Sequence, residues 1–327
     1  MVETEGRDCV VGIDIGGTKI AAAAVDSHGR ILLRGEEPSP SEDGERMVGA
    51  LLDIIDGTVR ACAESGLEAR AVGVGAAGFV LQEEGLLMES PNIAWSEVPL
   101  RRIVGEETGL PSFLDNDASA AALGERFAGV AEGIDDFVLL TLGTGIGGGI
   151  CVGGKVYRGH RGTASEIGHM LVDPRGPECA CGRRGCLESL ASGTALTREA
   201  ARLVEGDAGS RLYQMCGGDT GSITGEMVSV AADEGDEPAR RAFKKVAYYL
   251  GLGLVSLIHL FDPEMVVLGG GVCASGHLLI DETRRVVSER GIPPLVRDVN
   301  IALSTLGTDA GLIGSAAMAW EGIRSLP

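Results

Sequence analysis

The pattern of apolar and polar positions repeats one order of elements twice along the chain. Apolar runs of about four to eight residues predict strands, and apolar residues spaced three or four apart predict helices. In the first half these patterns predict strands at 9–15, 19–25, 31–34, 71–76 and 112–115 and helices at 45–65, 100–108 and 118–128. In the second half they predict strands at 137–142, 150–152 and 265–268 and helices at 238–261, 276–289 and 309–324. The repetition indicates a duplicated α/β unit.

The repetition also predicts two domains. The 327 residues are enough for two domains of roughly 150 residues each. We place the boundary near Asn116, which gives an N-terminal α/β domain of 1–116 and a larger α/β domain of 117–304. The last helix, within 305–327, is expected to return to the N-terminal domain. No low-complexity linker separates the halves, so we expect them to pack around a cleft.

Composition and charge exclude several classes of protein. Glycine takes 51 positions without a three-residue period, and 44% of residues are hydrophobic, which excludes collagen-like and disordered chains. The 28 basic and 47 acidic residues give a formal net charge of −19 and form no dense basic patch, so we expect no nucleic-acid partner. We also expect no membrane span and a cytoplasmic location, because long apolar runs and a signal-peptide pattern are missing.

The eight cysteines fall into two groups. Five are scattered and are expected to be reduced and mostly buried thiols: Cys9, Cys62, Cys151, Cys216 and Cys273. The other three, Cys179, Cys181 and Cys186, lie within eight residues among glycines and arginines. This spacing favours a metal site, with a redox group or a merely buried group as alternatives.

Glycine-rich turns follow several predicted strands. The segment 14–19, Asp-Ile-Gly-Gly-Thr-Lys, joins two strands and could direct backbone N–H groups and the Thr18 hydroxyl at a phosphate, beside the Asp14 carboxylate that suits its metal ion. The alternative is a tight turn that needs glycine. The segment is not a P-loop, because Thr18 rather than lysine follows Gly17.

Two further segments, 73–78 and 143–148, match the Gly-x-Gly-x-x-Gly pattern of dinucleotide sites. Both run on into strand-like residues and do not open a helix, so the pyrophosphate site of a Rossmann unit is not expected. We instead expect 143–149 to form a second phosphate-facing hairpin. The run 269–271 is expected to allow a third close backbone approach.

Motifs in chain order resemble those of the ROK family of bacterial and archaeal sugar kinases, most closely its glucokinases. The matching segments are 14–19, Asn116-Asp117 before an alanine-rich helix, 142–147, Glu-Ile-Gly-His at 166–169, the Cys-x-Cys-x4-Cys-Leu-Glu segment 179–188, and 269–271. The resemblance covers the chain from about residue 10 to the end. It implies an α/β, actin-like (ribonuclease H-like) ATPase fold in which sugar and ATP bind in a cleft between two domains.

The resemblance implies ATP-dependent phosphorylation of glucose at its 6-hydroxyl, giving glucose 6-phosphate and ADP. Alternatives within the family are kinases for fructose, mannose, N-acetylmannosamine or N-acetylglucosamine. The family also includes sugar-responsive repressors with an N-terminal DNA-binding domain. We consider a repressor less favoured, because only eight residues precede the first predicted strand. The resemblance further implies a homodimer or homotetramer.

The resemblance assigns sugar-side roles to named residues. Asp117 is implied as the catalytic base; from the pattern alone, it could instead only cap the helix that follows. Asp115 also carries a carboxylate but does not align with the family pattern. The implied sugar contacts are Gly78, Asn92, Asn116, Asp117, Glu166, His169 and Glu188. The alternative for Glu166 and Glu188 is a solvated loop charge.

The resemblance also implies ligands for ATP and two metal ions. The residues implied to face ATP and Mg²⁺ are Asp14, Gly16, Gly17, Thr18, Lys19, Thr144, Gly145, Gly270 and Gly271. A structural Zn²⁺ is implied at His169, Cys179, Cys181 and Cys186, a donor set that leaves no open coordination position. The chain departs from the family pattern at Ala77, where proline is usual, and at Ser165, where glycine is usual.

Overall fold

The structure is a computed structural model that describes residues 7–326. The predicted domain ranges 1–116 and 305–327 therefore include residues 1–6 and 327, which lie outside the described residues. Within 7–326 the strands are β1 (Asp8–Ile15), β2 (Lys19–Val25), β3 (Ile31–Pro38), β4 (Glu68–Ala76), β5 (Phe79–Leu81), β6 (Leu86–Glu89), β7 (Ser96–Val98), β8 (Ser112–Asn116), β9 (Phe137–Leu142), β10 (Ile146–Val152), β11 (Lys155–Val156), β12 (Met265–Gly269) and β13 (Asn300–Leu303).

Helices account for most of the remaining ordered backbone. The α-helices are α1 (Gly44–Glu64), α2 (Leu100–Thr108), α3 (Asp117–Ala128), α4 (Leu187–Ala191), α5 (Gly193–Val204), α6 (Arg211–Met215), α7 (Gly225–Asp233), α8 (Glu237–Phe261), α9 (Ile280–Arg290), α10 (Pro293–Val296) and α11 (Ala310–Arg324). Short 3-10 helices lie at Ile167–His169, Thr220–Ser222, Gly271–Leu278 and Gly307–Asp309. None of the helices in the described part of the chain combines the length and apolar character needed to cross a membrane.

The chain forms two compact units. Unit 1 comprises the residues up to Asp135, Gly149–Ser165 and the residues from Ser304 onward; unit 2 comprises Asp136–Gly148 and Glu166–Leu303. This division differs from a single boundary near 116. Helix α3 packs against α11 and so belongs to unit 1, and the chain passes between the units four times.

The first sheet lies in unit 1 and has the order β3-β2-β1-β4-β8. Strand β2 is antiparallel to β1 and β3, which forms the predicted opening meander, whereas β4 is parallel to β1 and β8. In register, Ile15 pairs with Ala76 and Ala76 pairs with Asn116. The three parallel strands therefore end side by side, and the turns that follow them share one edge of the sheet.

Both faces of this sheet are covered by helices. Strand β1 is buried along nearly its whole length, as expected for a strand with a helix on each side. One face forms an apolar core with α1 and α2, which includes Met47, Leu51 and Leu100. The other face packs on α11 through Leu312 and Ala316.

Glycines let α11 approach this sheet and α3 unusually closely. A Cβ atom at Gly73 of β4 would lie 1.8 Å from the carbonyl oxygen of Ser315. A Cβ atom at Gly314 of α11 would lie 1.6 Å from the carbonyl oxygen of Ala120 in α3. The first Gly-x-Gly-x-x-Gly match is thus a packing surface, and it continues into β5 rather than a helix, as predicted.

The second sheet has the order β11-β10-β9-β12-β13, which matches the first sheet strand for strand. Strand β12 is parallel to β9 and β13. The strand predicted at 150–152 begins earlier, because β10 starts at Ile146 inside the glycine run 143–149. Strand β10 then continues from unit 2 into unit 1. Within unit 2, the long helix α8 packs against α4, α5 and α9.

Five strands lie outside the predicted pattern. Strands β5, β6 and β7 form a small antiparallel sheet in unit 1, and β11 and β13 are the outer strands of the second large sheet. Strands of two to four residues are too short to establish a recognisable period. The five scattered cysteines are free thiols, and all but the half-buried Cys273 are buried, in agreement with expectation.

Two glycine-to-alanine substitutions in helices should have opposite effects on stability. Gly314→Ala is expected to lower the free energy of unfolding by about 3 kcal/mol, because the new methyl group meets the α3 backbone. Gly49→Ala in α1, where a Cβ atom has no neighbour within 4 Å, should raise it by about 0.5 to 1 kcal/mol. Urea unfolding measures both. Equal effects of the two substitutions would contradict the packing argument.

Candidate active site

The turn between β1 and β2 opens the site in unit 1. The Gly16 N–H donates to the Lys19 carbonyl at 3.0 Å, which closes a tight turn. Thr18 and Lys19 are exposed, and Lys19 Nζ lies 3.0 Å from Glu36 Oε1. A Cβ atom at Gly17 would lie 3.2 Å from the Asn92 Cβ. The turn is therefore accessible from solvent, and Asn92 lies directly beside it.

Asp14 is a half-buried carboxylate at the end of β1. The N-terminus of α11 covers it, since a Cβ atom at Gly311 would lie 3.0 Å from Asp14 Oδ2. Burial, together with the negative charge of Asp117, raises the pKa of Asp14 to about 7, although Lys19 opposes the shift. Two carboxylates that repel each other are suitable ligands for a hard divalent cation, which prefers oxygen donors. The residues present thus fit Mg²⁺.

The Asn116-Asp117 pair lies where β8 ends and α3 begins. The Asn116 Oδ1 accepts hydrogen bonds from the N–H groups of Ala118 and Ser119, at 2.9 and 3.1 Å. Asn116 is therefore the N-cap, and the alternative that Asp117 only caps this helix is wrong. Asp117 is the first residue of α3; its Oδ1 accepts the adjacent Ala118 N–H at 2.9 Å, and its carboxylate is also hydrogen-bonded by the Asn116 side chain. Burial raises the pKa of Asp117 above its ordinary value.

Gly78 follows β4 at the same edge of the sheet. Its φ of +135° favours glycine, and a Cβ atom there would lie 2.4 Å from the Glu89 carbonyl oxygen. The Gly78 carbonyl accepts a hydrogen bond from Asn116 Nδ2 at 3.0 Å. The preceding Ala77 donates its N–H to the Ile15 carbonyl at 3.2 Å, a bond that proline could not make. Ala77 therefore adds a link between two strand ends.

In unit 2, Glu188 holds the glycine hairpin that precedes β10. The Glu188 Oε2 accepts the Ile146 N–H at 2.9 Å, and a Cβ atom at Gly145 would lie 2.3 Å from the same oxygen. The Gly143 N–H donates to the Gly145 carbonyl at 3.0 Å. Thr144 is exposed at the tip of this hairpin. Glu188 thus has a defined partner and is not a solvated loop charge.

A cavity of about 640 Å³ lies beside this hairpin in unit 2. Its walls include Thr144 and Gly271. The adjacent Gly270 has a φ of +86°, and a Cβ atom there would lie 2.5 Å from the Leu142 carbonyl oxygen. The cavity residues at the starts of α5 and α7 were not among the predicted site residues; they are Gly193, Thr194, Gly225 and Glu226. The signal was present: Ser192 and Thr224 precede these helices and cap them.

Four predicted metal ligands come together in unit 2. The ligand atoms of His169, Cys179, Cys181 and Cys186 all lie within 4.8 Å of one another. The Cys181 and Cys186 Sγ atoms are 3.7 Å apart, and the Cys179 Sγ is 3.6 Å from His169 Nδ1. Tetrahedral zinc with ordinary bond lengths requires about 3.8 Å between two sulfurs and about 3.6 Å between sulfur and nitrogen. The cluster therefore fits zinc.

The other nitrogen of His169 points away from the cysteines. His169 Nε2 lies 3.9 Å from Glu166 Oε2, and both side chains are accessible to solvent. Glu188 Oε1 lies 3.4 Å from the Cys179 Sγ. Three predicted sugar contacts, Glu166, His169 and Glu188, are thus attached to the cysteine cluster. A ligand bound by the cysteines would fix all three.

Comparisons with known proteins agree with this arrangement. A profile of the ROK family matches residues 10–321. The chain belongs to the ROK family. A glucokinase of Streptomyces coelicolor is 39% identical over 95% of this chain and 97% of its own length. The crystal structure of a ROK family glucokinase from Streptomyces griseus, in complex with glucose and AMPPNP, shares 40% identity and a TM-score of 0.84 and covers 96% of this chain and 100% of its own.

ROK relatives of a second kind also match. A xylose repressor of Caldicellulosiruptor bescii is 32% identical over 97% of this chain and 79% of its own length. The predicted fold is confirmed by the solved ROK structures: the chain has the two-domain, actin-like ATPase fold of this family.

Ser165, where the sequence departs from the pattern expected for the ROK family, has an unusual backbone conformation. Its φ is +71°, a left-handed conformation that glycine adopts without strain, and its Oγ donates to the Tyr157 carbonyl at 3.2 Å. The hydrogen bond offsets part of the conformational strain. Ser165 therefore holds a backbone conformation that glycine would adopt without strain.

Substitutions at Ser165 should test this conformation. Ser165→Gly removes the strain and the hydrogen bond together, so the free energy of unfolding should change by less than about 1 kcal/mol. Ser165→Val places a β-branched residue at a positive φ and should lower it by about 2 kcal/mol or more. Ser96→Val, at an exposed strand position without a positive φ, is the control. If urea unfolding shows that Ser165→Val and Ser96→Val lower the free energy of unfolding equally, the strained conformation of Ser165 is contradicted.

Proposed function

We propose that this ROK protein is an ATP-dependent glucokinase that forms glucose 6-phosphate and ADP. The observation that carries the proposal is Asp117, a carboxylate with a raised pKa beside Asp14 at the edge where three parallel strands end. The similarity to glucokinases of Streptomyces supports glucose as the substrate and ATP as the phosphoryl donor. Phosphoryl transfer mainly requires positioning, charge compensation and a base beside the attacking hydroxyl. Asp117 would supply the base, and Asp14 would hold the Mg²⁺ that offsets the phosphate charge.

Asp117 acts as the base in this proposal. Its carboxylate accepts the proton of the sugar 6-hydroxyl while the sugar oxygen attacks the γ-phosphorus of ATP; the bond from that phosphorus to the β,γ-bridging oxygen breaks, and ADP leaves. Since Asn116 carries out the capping role, the Asp117 carboxylate is not engaged as the N-cap of α3. Asn116, whose Nδ2 donates to the Gly78 carbonyl and whose side chain also hydrogen-bonds to Asp117, is a further proposed sugar contact. The remaining proposed sugar contacts are Gly78, Asn92, Glu166, His169 and Glu188.

Two glycine hairpins hold the nucleotide in this proposal. The backbone of Gly16 and Gly17, the Thr18 hydroxyl and Lys19 bind phosphate oxygens, and Lys19 exchanges its partner Glu36 for phosphate. Asp14 holds Mg²⁺, which offsets phosphate charge when it is bound. In unit 2, Thr144 and Gly145 bind phosphate, and Gly270 and Gly271 border the cavity for the adenosine.

Zinc has a structural role in this proposal. His169 Nδ1 and the three cysteine sulfurs would hold the zinc ion and would leave no coordination position for substrate. His169 Nε2 is then free to bind a sugar hydroxyl, and Glu166 lies on the same side of the ring. The cysteine loop buries few apolar side chains, since residues 180–184 are exposed. Metal binding therefore supplies the order that packing does not.

Two alternatives and two further predictions remain. Another hexose could be the preferred substrate, and a sugar-responsive repressor would bind sugar without transferring phosphate. A coupled assay over a panel of hexoses with ATP, ADP and polyphosphate separates these cases. A cytoplasmic homodimer or homotetramer stays a prediction.

Asp117→Asn should decrease kcat by about two to four orders of magnitude, the scale expected for loss of a general base. Sugar affinity should change little, because the amide keeps the shape and the hydrogen-bond acceptor. The raised pKa adds a test: kcat/KM of the parent should fall as pH decreases through a value above the ordinary 3.8. The exposed Asp53→Asn is the control. A normal kcat in the Asp117 variant would refute the assignment.

Removal of zinc should abolish activity by unfolding the cysteine loop. We expect one zinc ion per chain by elemental analysis and none in Cys181→Ala. Cys216→Ala, a buried cysteine outside the cluster, should retain both zinc and activity. Full activity of a metal-stripped protein supplied again only with Mg²⁺ would show that zinc has no structural role.

A further inference from the structure

We propose that Arg158 is a positioning residue for the phosphoryl transfer and acts through Asp115. The pair would fix two segments at once: the end of β8, which leads into Asn116 and Asp117, and the loop formed by residues 157–165, which leads into Glu166. This inference rests on the proposed kinase function. Neither residue was assigned a role from the sequence.

The ion pair has two contacts in a fixed geometry. Arg158 Nε and Nη2 both donate to Asp115 Oδ2, at 2.9 and 2.6 Å. The Asp115 side chain is only 3% exposed and the Arg158 side chain 23%. A buried carboxylate needs compensation by hydrogen bonds, and a planar guanidinium provides it at a defined angle. The pair therefore determines the position of Arg158 relative to β8.

The same carboxylate holds the backbone that carries the proposed base. Asp115 Oδ1 accepts the Asn116 N–H at 2.9 Å, so its two oxygens accept three hydrogen bonds. Asn116 in turn caps α3, whose first residue is Asp117. A rotation of the Asp115 carboxylate would thus be transmitted through one peptide to the start of α3.

On the other side, Arg158 anchors the 157–165 loop. The loop is closed at its neck: the Ala164 N–H donates to the Arg158 carbonyl at 3.0 Å, and Ser165 Oγ donates to the Tyr157 carbonyl. Arg158 Nη1 also donates to the Val156 carbonyl at 3.2 Å. A closed neck moves as one body, so a tether at Arg158 also restrains Ser165.

The loop has little apolar packing that could replace this tether. None of its nine residues is buried, and Tyr157 is 49% exposed. Segments with few buried apolar contacts open at low free energy, and polar tethers then decide where they lie. A displacement of about 1 Å at a positioning group can reduce catalysis about 100-fold.

Arg158→Lys is the central variant, because lysine keeps the charge but loses the forked, two-bond geometry. We expect kcat/KM for glucose to fall about tenfold or more, with KM for ATP within about twofold and Tm within a few degrees of the parent. Hydrogen exchange of residues 158–165 should become faster. Asp115→Asn, which keeps one accepting oxygen, should show the same pattern. If one variant does not fold, the other still tests the pair.

Arg30→Lys is the matched control. Arg30 pairs with Asp26 in the same unit, and the Asp26 side chain is also mostly buried, at 12% exposure. This pair follows β2, at the opposite edge of the sheet from Asp117. Its substitution should leave both kcat/KM and the exchange of the 157–165 loop unchanged.

Three outcomes would overturn the inference. An unchanged kcat/KM in Arg158→Lys would show that the forked geometry is unnecessary. A fall in kcat/KM for glucose that the unfolded fraction explains entirely would show that the pair only stabilises the fold. An equally large change in the KM for ATP would show the same. Unchanged exchange of the loop would show that it is held by other contacts. If the parent phosphorylates no hexose, the kinase proposal fails, and glucose binding by calorimetry with loop exchange still tests the tether.

Discussion

Close packing of α11 against glycine-lined strands is the constraint on which unit 1 depends. At Gly12 and Gly73 the backbone of α11 comes so near that a Cβ atom would lie 2.4 and 1.8 Å from its carbonyl oxygens. This approach brings the N-terminus of α11 over Asp14 at the end of β1. Residues from opposite ends of the chain thus build one carboxylate environment, because only glycine permits two backbones to come this close.

The same edge of the sheet concentrates groups that would be unfavourable elsewhere. Asp14 and Asp117 are carboxylates in partly buried surroundings, and burial raises the pKa of both. Such shifts are typical of functional sites, where a cation or a substrate proton later compensates the charge. The parallel pairing of β1, β4 and β8 produces this concentration by ending three strands in register.

Several acidic side chains in this strongly acidic chain act as structural acceptors. Asp115 accepts the Asn116 N–H, Glu188 accepts the Ile146 N–H, and Asp236 accepts the Ala239 N–H. These side chains keep their charge, and the formal net charge of the chain is −19. Screening over about 8 Å at physiological salt limits distant charges, so local N–H groups and cations dominate at each turn.

The sequence by itself determined the elements with a clear period and the motifs with short spacing. The opening meander, the long helix α8 and the His-x9-Cys-x-Cys-x4-Cys ligand set were all predicted, because each depends on local periodicity or on a few nearby residues. Family membership and the actin-like fold were predicted from the same motifs, and the comparisons confirmed both. The boundaries of elements inside glycine-rich runs were not predicted, because glycine occurs in turns, in strands and at close backbone contacts alike.

Tertiary structure alone decided which of several suitable residues takes each role. Asn116 rather than Asp117 caps α3, although either side chain can accept the same N–H groups. Gly73 serves packing against α11, although its motif is that of a nucleotide loop. The pairing of Asp115 with Arg158 joins residues 43 positions apart, and no local pattern records it. These choices depend on which partner the fold brings within a few ångströms, and that is not encoded in the spacing of any one segment.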